Sequence, residues 1–351
     1  MKIGLLTYHI STNNGAMLQT YATCRALSQL GHDVKIIDIR QPEVIHTNLI
    51  VKVIVGIIYA KREYDTKQFR KKFYAPLTQR YYSIEELRNN PPEVDCLVVG
   101  SDQTWNPNIA GIVLPAYFLD FGGDHIRRIS YASSFGLNQW PMDNSLTGMV
   151  KASLDRFKHL SSREDTGVKI LKETFNLEAN KVLDPTMLFD EYYDLVGNIT
   201  KESNEIVCYK LHRDKDFFDN IGRVKALSGL PIRLLNNSFP IKGLKYTYPP
   251  SVAKWVRLIA ESKYVITDSF HGCVFSLLYK KSFAVILSHN GKDSRMLDLL
   301  KELGLENRAY DSTEILSYDS SWIQPIDYSK VDKILDKLRS ESWDYLIQAL
   351  K

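Results

Sequence analysis

Within its first forty residues the chain switches twice between two hydrophobic periods. Lys2 to Tyr8 is a short apolar run of β-formers, Met17 to Leu30 carries apolar residues at helical spacing, and Val34 to Ile39 is again a β-branched run. Gly31-His32-Asp33 marks the break between helix and second strand. Strand, helix and strand in so short a span make a βαβ unit, which implies a parallel sheet with a right-handed crossover. The fold class is therefore α/β. The same alternation returns further on. Asp95–Val99, Tyr117–Asp120, Arg127–Ser134 and His159–Ser162 read as strands, with a helix over 142–158. Glu205–Tyr209, Ile232–Leu235, Tyr264–Ile266 and Phe283–Leu287 read as strands between helices at Asp216–Leu227, Ser251–Glu261 and Met296–Leu303. Residues 62–90, charged and tyrosine-rich, read as solvated helical segments, and Lys330 to Leu350 has the apolar spacing of a closing helix.

A chain of 351 residues can hold two domains with full cores. The alternation places them at 1–185 and 186–330, facing across a cleft, with 331–351 as a helix that packs back on the first. A net charge of +4 is too small and dispersed to predict a nucleic-acid partner. Cys24, Cys96, Cys208 and Cys273 form no CxxC pair, which argues against a zinc site or disulfide framework and fits a reducing compartment. No metal or cofactor is expected. The first residues read as a buried strand and not as a signal peptide. Leu49 to Ala60 is too short to span a bilayer and reads first as a core-facing helix, while its basic flank Lys61-Arg62 leaves room for contact with a membrane surface.

The stretch richest in chemistry is Lys263-Tyr-Val-Ile-Thr-Asp-Ser-Phe-His-Gly-Cys-Val-Phe275. A buried strand runs into Thr267 and Asp268, which offer N-cap chemistry, and an apolar helix follows over Cys273 to Tyr279. Ser269, Phe270, His271 and Gly272 then fall at the strand-to-helix turn, where unpaired backbone N–H groups make an anion site. Gly272 permits close approach, and His271 there can exchange a proton near neutral pH. By itself this spacing suits a capping or packing histidine as well as a catalytic one. Three other segments lie at strand ends, where open α/β sheets bind ligands. Ser11-Thr-Asn-Asn-Gly-Ala16 is a polar loop that lacks a dinucleotide fingerprint. Gly100-Ser-Asp-Gln-Thr-Trp-Asn-Pro107 offers Asp102 and Gln103 to sugar hydroxyls, and Trp105 either to a pyranose face or to the core. Arg163 has a guanidinium fork suited to a carboxylate or phosphate, or to a salt bridge with Glu164 or Asp165. Lys292 and Arg295 add positive charge on a loop and helix start one strand from His271.

Taken together, Gly-Ser-Asp-Gln, Arg163-Glu, Asp184-Pro-Thr and Ser269-Phe-His-Gly, in that order, resemble the motifs of the polysaccharide pyruvyl transferase family. The likeness runs from Asn14-Gly15 to Arg295-Met-Leu-Asp298 and is thin over 40–90 and 189–250. It implies two facing Rossmann-like domains of GT-B type, acceptor side first and donor side second. It also implies transfer of the enolpyruvyl group of phosphoenolpyruvate to two hydroxyls of a glycan or lipid-linked sugar, forming a ketal. The family's motifs put His271 in the acid/base role and Arg163 on the donor's anions; the resemblance adds Lys292 to the anions by its distance after His271, with Arg295 competing for that place. Asn14, Gly15, Ser101, Asp102, Gln103, Asp268, Ser269 and Gly272 would bind substrate. The expected setting is exopolysaccharide or capsule synthesis in the cytoplasm, with the inner membrane face left open. Two other readings compete: a GT-B-like glycosyltransferase using a nucleotide sugar, and a catalytically silent glycan-binding relative.

Overall fold

The computed structural model describes the 351-residue chain apart from 41–50, 142, 213, 236–240, 248–249 and 289–292, and the side chains of 51–59. Met1–Gly56, Lys67–Leu188 and Lys337–Lys351 form one compact unit, and Ile57–Thr66 with Phe189–Asp336 form the other.

The first unit is built on β1 (Lys2–Leu6), β2 (Asp33–Ile39), β3 (Leu77–Tyr81), β4 (Cys96–Val99) and β5 (Arg127–Ser130), all parallel, in the order β3-β2-β1-β4-β5. Two short strands, β6 (Ser161–Ser162) and β7 (Asn180–Lys181), pair beside it. β1 and β4 read as continuous apolar runs because they are covered on both faces. Three differences from the sequence reading have physical causes. Leu77–Tyr81, read as solvated helix, is an edge strand whose only buried residue is Tyr81, so it carries no alternating apolar signal. Tyr117 to Asp120, read as a strand, is the end of helix Leu114–Tyr117 followed by a turn with Leu119 at φ 53°. Pro115 at the helix start pre-sets that helix. The third concerns 142–158, where the helix runs only over Asn144–Leu154, capped by the Asp143 carboxylate on the Leu146 N–H.

The turn after Leu119 is organised by a buried cation. Arg128 on β5 is 1% exposed and donates to the carbonyls of Leu119, Phe121, Gly122, Gly123 and Ile126. Burial, reinforced by repulsion from Arg156, pulls its pKa down to about 10. A guanidinium has enough N–H groups to satisfy a whole loop of carbonyls, which is why a buried arginine fits where a lysine would not.

The second unit repeats the plan with β8 (Ile206–Tyr209), β9 (Ile232–Leu235), β10 (Lys245–Thr247), β11 (Tyr264–Thr267), β12 (Ser282–Ile286) and β13 (Ala309–Tyr310). These are parallel and ordered β10-β9-β8-β11-β12-β13. Renumbered within the unit this is 3-2-1-4-5-6, the doubly wound Rossmann order. Its order reverses between β8 and β11, so the switch point lies at their carboxyl ends. Helix Lys215–Ser228 covers one face through Phe217, Ile221 and Val224, which join Ile206, Cys208 and Ile266 in one core. Helix Val252–Glu261 buries Trp255, Val256 and Ile259.

Helix Tyr328–Ala349 carries its residues from 337 onward into the first unit. There Ser342 accepts the Leu183 N–H at 3.0 Å, Tyr345 donates to the Ser130 carbonyl at 2.9 Å, and Arg127 donates to the Ala349 carbonyl at 3.1 Å. Among the described residues, no helix is long and apolar enough to cross a membrane.

Candidate active site

In the second unit the site begins where β11 ends. The Thr267 hydroxyl donates to the Tyr209 carbonyl at 2.7 Å and accepts the Ser269 N–H at 3.0 Å, locking β11 to β8 at the switch point. Helix Phe270–Leu278 starts at once, and its cap is Ser269, not Thr267 or Asp268. The Ser269 hydroxyl accepts the Gly272 N–H at 3.4 Å. Phe270, His271 and Gly272 therefore form the first helical turn. A Cβ at Gly272 would lie 2.2 Å from the Thr267 hydroxyl oxygen, so the glycine lets the helix start press onto the strand end.

His271 sits on that first turn, 8% exposed, with the Phe270 ring edge-on 5.3 Å away. Asp268, expected to bind substrate, spends both oxygens on the loop after β8. It accepts the Leu211 N–H at 2.6 Å and the His212 N–H at 2.8 Å. The His212 ring, largely exposed, lies 3.5 Å from the same carboxylate. Sequence reasoning missed His212, because only the β8–β11 register brings position 212 to Asp268. Arg295, near the start of helix Ser294–Glu302, holds its guanidinium carbon 6.0 Å from the Phe270 ring centroid. Asp293, just before that helix, accepts the Ser288 N–H at 3.1 Å and its hydroxyl at 2.8 Å. Lys292 lies outside the described residues. The structure thus brings Ser269, His271, Gly272 and Arg295 together about one helix start.

The first unit holds the remaining expected residues, and most of them are occupied. Ser101 is fully buried and donates to Asp184 at 2.8 Å. Arg163, its side chain 2% exposed, donates to the same Asp184 oxygen at 2.8 Å and sits 3.7 Å from Glu164. Burial works against the charged guanidinium, but Asp184 and Glu164 outweigh it and raise its pKa. The other Asp184 oxygen accepts the Thr186 N–H at 3.0 Å and hydroxyl at 2.6 Å, and Glu164 accepts the Ser134 hydroxyl at 2.6 Å. Of the partners read from sequence, Glu164 is the one used, and Asp184, 21 residues away, is the closer.

Asp102 has φ 81°, an uncommon conformation for a residue with a side chain, and its carboxylate accepts the Gln103 N–H at 2.8 Å. The Gln103 side-chain oxygen accepts from Asn106 at 2.9 Å. It occupies the place of a Cβ at Gly136, where φ is 61° and only 2.1 Å separates the two. Trp105 is fully buried, stacked on Phe118 and bonded to the Tyr117 carbonyl, so it fills the core and offers no face to a sugar. Asn14 and Gly15 are buried in the first turn of helix Asn14–Gln29, whose cap is Asn13. Asn13 accepts the Gly15 N–H at 2.8 Å.

Comparison with known proteins gives the chain a family and a fold. The family model described as Polysaccharide pyruvyl transferase matches residues 13–290. No curated protein matches the chain by sequence. Among solved structures, UDP-GlcNAc 2-epimerase from Methanocaldococcus jannaschii in complex with UDP-GlcNAc and UDP aligns with TM-score 0.55 and 14% identity, over 100% of this chain and 99% of that one. UGT89C1 from Arabidopsis thaliana complexed with UDP-L-rhamnose aligns with TM-score 0.54 and 9% identity, over 99% and 98%. At such identities the likeness is one of fold, and it is the GT-B-like pairing of Rossmann-type units. With the family's motifs on the sheet edges just described, the chain belongs to the polysaccharide pyruvyl transferase family.

Proposed function

We propose that the chain transfers the enolpyruvyl carbons of phosphoenolpyruvate to two hydroxyls of a glycan sugar, closing a pyruvate ketal and releasing phosphate. The observation that carries this reading is the helix start at Phe270–Gly272, with His271 on its first turn and Arg295 beside Phe270. A helix N-terminus and a guanidinium together suit a donor with a phosphate and a carboxylate.

In this reading His271 gives a proton to the methylene carbon of the donor, making C3 a methyl group and leaving positive charge at C2. A sugar hydroxyl adds to C2 and loses its proton to the imidazole, which restores the acid. The C2–O bond to phosphate breaks, a second hydroxyl adds to C2, and its proton leaves with the phosphate. Two hydroxyl protons are lost, and one each goes to C3 and to phosphate. Arg295 and Lys292 hold the donor's anions. Arg163, already ion-paired, acts as a positioning residue that fixes Ser101 and the Asp102 turn through Asp184. Asp102 and Gln103 stand on the acceptor side. The product belongs to a cell-envelope glycan assembled at the cytoplasmic side of the membrane.

The test is phosphate release from phosphoenolpyruvate with and without a pool of glycan acceptors, run beside His271→Gln and Arg295→Gln. Acceptor-dependent release is expected, lost in the first variant and shifted to a higher KM for phosphoenolpyruvate in the second. No release and no donor binding, with stabilisation by a nucleoside diphosphate instead, would move the reading to a nucleotide-sugar glycosyltransferase.

A further inference from the structure

A second charged cluster lies on the carboxyl edge of the first unit's sheet, built from residues that the reading above leaves unused. Asp38, near the end of β2, is 2% exposed. Its one carboxylate serves three basic groups. His9 Nε2 lies 3.1 Å from Oδ1, Arg40 Nε donates to Oδ1 at 2.9 Å with Nη2 3.3 Å from Oδ2, and Arg80 Nε donates to Oδ2 at 3.2 Å. His9 Nδ1 lies 3.1 Å from the Thr7 carbonyl, so both ring nitrogens face acceptors, and both can donate at once only in the imidazolium form.

Stitching β2 to β3 needs one carboxylate and one cation. Here two guanidiniums share the carboxylate, so positive charge is in excess whatever the state of His9. The excess faces outward, because Asp38 is buried while the Arg40 and Arg80 side chains are 29% and 47% exposed. Arg40 is held on Asp38 through Nε and Nη2 and Arg80 through Nε, which fixes both planes and leaves Arg40 Nη1 and the Arg80 Nη groups unengaged by that carboxylate. A fork already held in place loses little side-chain entropy on meeting an oxyanion. The cluster also sits at the end of β2 and β3 beside the loop that follows β1, on the edge where α/β sheets take ligands.

We infer that Arg40 and Arg80, held on Asp38, form an oxyanion subsite that binds an acidic group of the glycan acceptor, either a uronate carboxylate or a phosphate ester. The inference rests on the reading that this chain transfers to a glycan, but binding can be measured without turnover. Inorganic pyrophosphate and glucuronate are titrated separately by calorimetry into the wild-type chain, R40Q/R80Q and R88Q. The last removes an exposed arginine paired with Asp120 elsewhere in the same unit.

The wild type and R88Q are expected to bind at least one probe, and R40Q/R80Q to bind it about 10- to 100-fold more weakly, the weight of charge-assisted hydrogen bonds. The preferred probe distinguishes a uronate from a phosphate ester. R80Q alone keeps Arg40 on Asp38 and carries the test if the double variant does not fold, with an expected loss of about 10-fold. Wild type binding neither probe, or the arginine variants binding both as tightly as wild type, overturns the subsite. Failure of phosphoenolpyruvate to bind would instead count against the proposed function and leave the comparison between wild type and R40Q/R80Q intact.

Discussion

The two sheet edges carry the family's motifs in opposite ways. On the first unit, Arg163, Asp184, Glu164, Ser101 and Ser134 are buried and bonded among themselves. On the second, Ser269, His271 and Gly272 form a helix start whose capping bonds are local and whose tight contact is with Thr267. A buried ionic network is costly to break and contributes shape. A helix start carries backbone N–H groups and a dipole that suit an anion. The difference teaches that a motif residue can be wholly engaged inside the fold, as Arg163 is, and that the motif alone does not separate this case from a residue at a helix start.

The largest effect that could break this contrast is at His271. His271→Gln is expected to lower turnover about 10²–10⁴-fold, the range for removing a general acid/base, with little change in the thermal midpoint. Steady-state phosphate release beside a melting curve checks both halves, and near-normal turnover in a folded variant ends the catalytic assignment.

Asp184→Asn should behave in the reverse sense. It leaves the Arg163 guanidinium, buried to 2%, without its nearest carboxylate. A loss of about 3–5 kcal/mol in denaturant unfolding is expected. An unchanged unfolding midpoint would mean that the first edge is not the scaffold described here.

Gly272→Ala sharpens the packing side of the comparison. The new methyl would meet the Thr267 hydroxyl at 2.2 Å, so a cost of about 1–3 kcal/mol is expected. Thr267→Ala removes the atom in the way, and the double variant should be more stable than the sum of the two single effects. Simple additivity would show that the contact does not govern this glycine.

The smallest effect concerns Asp38. Burial pushes its pKa up, but the bonds from His9 and Arg40 outweigh burial and hold it well below the usual carboxylate range. A depressed folded-state pKa contributes stability that is present above the unfolded value of about 3.9 and is lost as the pH falls toward the folded value. Wild type should therefore exceed Asp38→Asn by about 1–2 kcal/mol at neutral pH. The gap should narrow on titration below about pH 4. Urea midpoints at pH 7 and pH 3.5 measure it, and a gap that widens in acid would reverse the sign.

Much of this fold is legible in the sequence because buried parallel strands are apolar throughout. Ile232–Leu235 falls where the pattern puts it, and β1, β2, β8, β11 and β12 come within two residues of their expected ends. β3 escapes because an edge strand exposes four of its five side chains wholly or partly to solvent. The motif loops are legible as strand-to-helix junctions, but their bonding is not. Arg163 finds Asp184 across a turn of the fold, and Arg128 finds carbonyls from a loop that precedes its strand. Charged residues inside strands read as solvent-facing until the backbone shows what surrounds them. Trp105 stays open in the sequence between a pyranose face and the core, because an aromatic has the same letter in both, and its burial against Phe118 decides for the core.

The helix Tyr328–Ala349 has a consequence for how the molecule is made. Residues 337–351 complete the first unit, yet a ribosome delivers them only after the whole of the second. Until they arrive, the Leu183 N–H and the Arg127 side chain lack Ser342 and the Ala349 carbonyl. The unit that starts synthesis is thus the last to be closed. Shortening the chain at its carboxyl end should loosen the amino-terminal unit and leave the one in between intact.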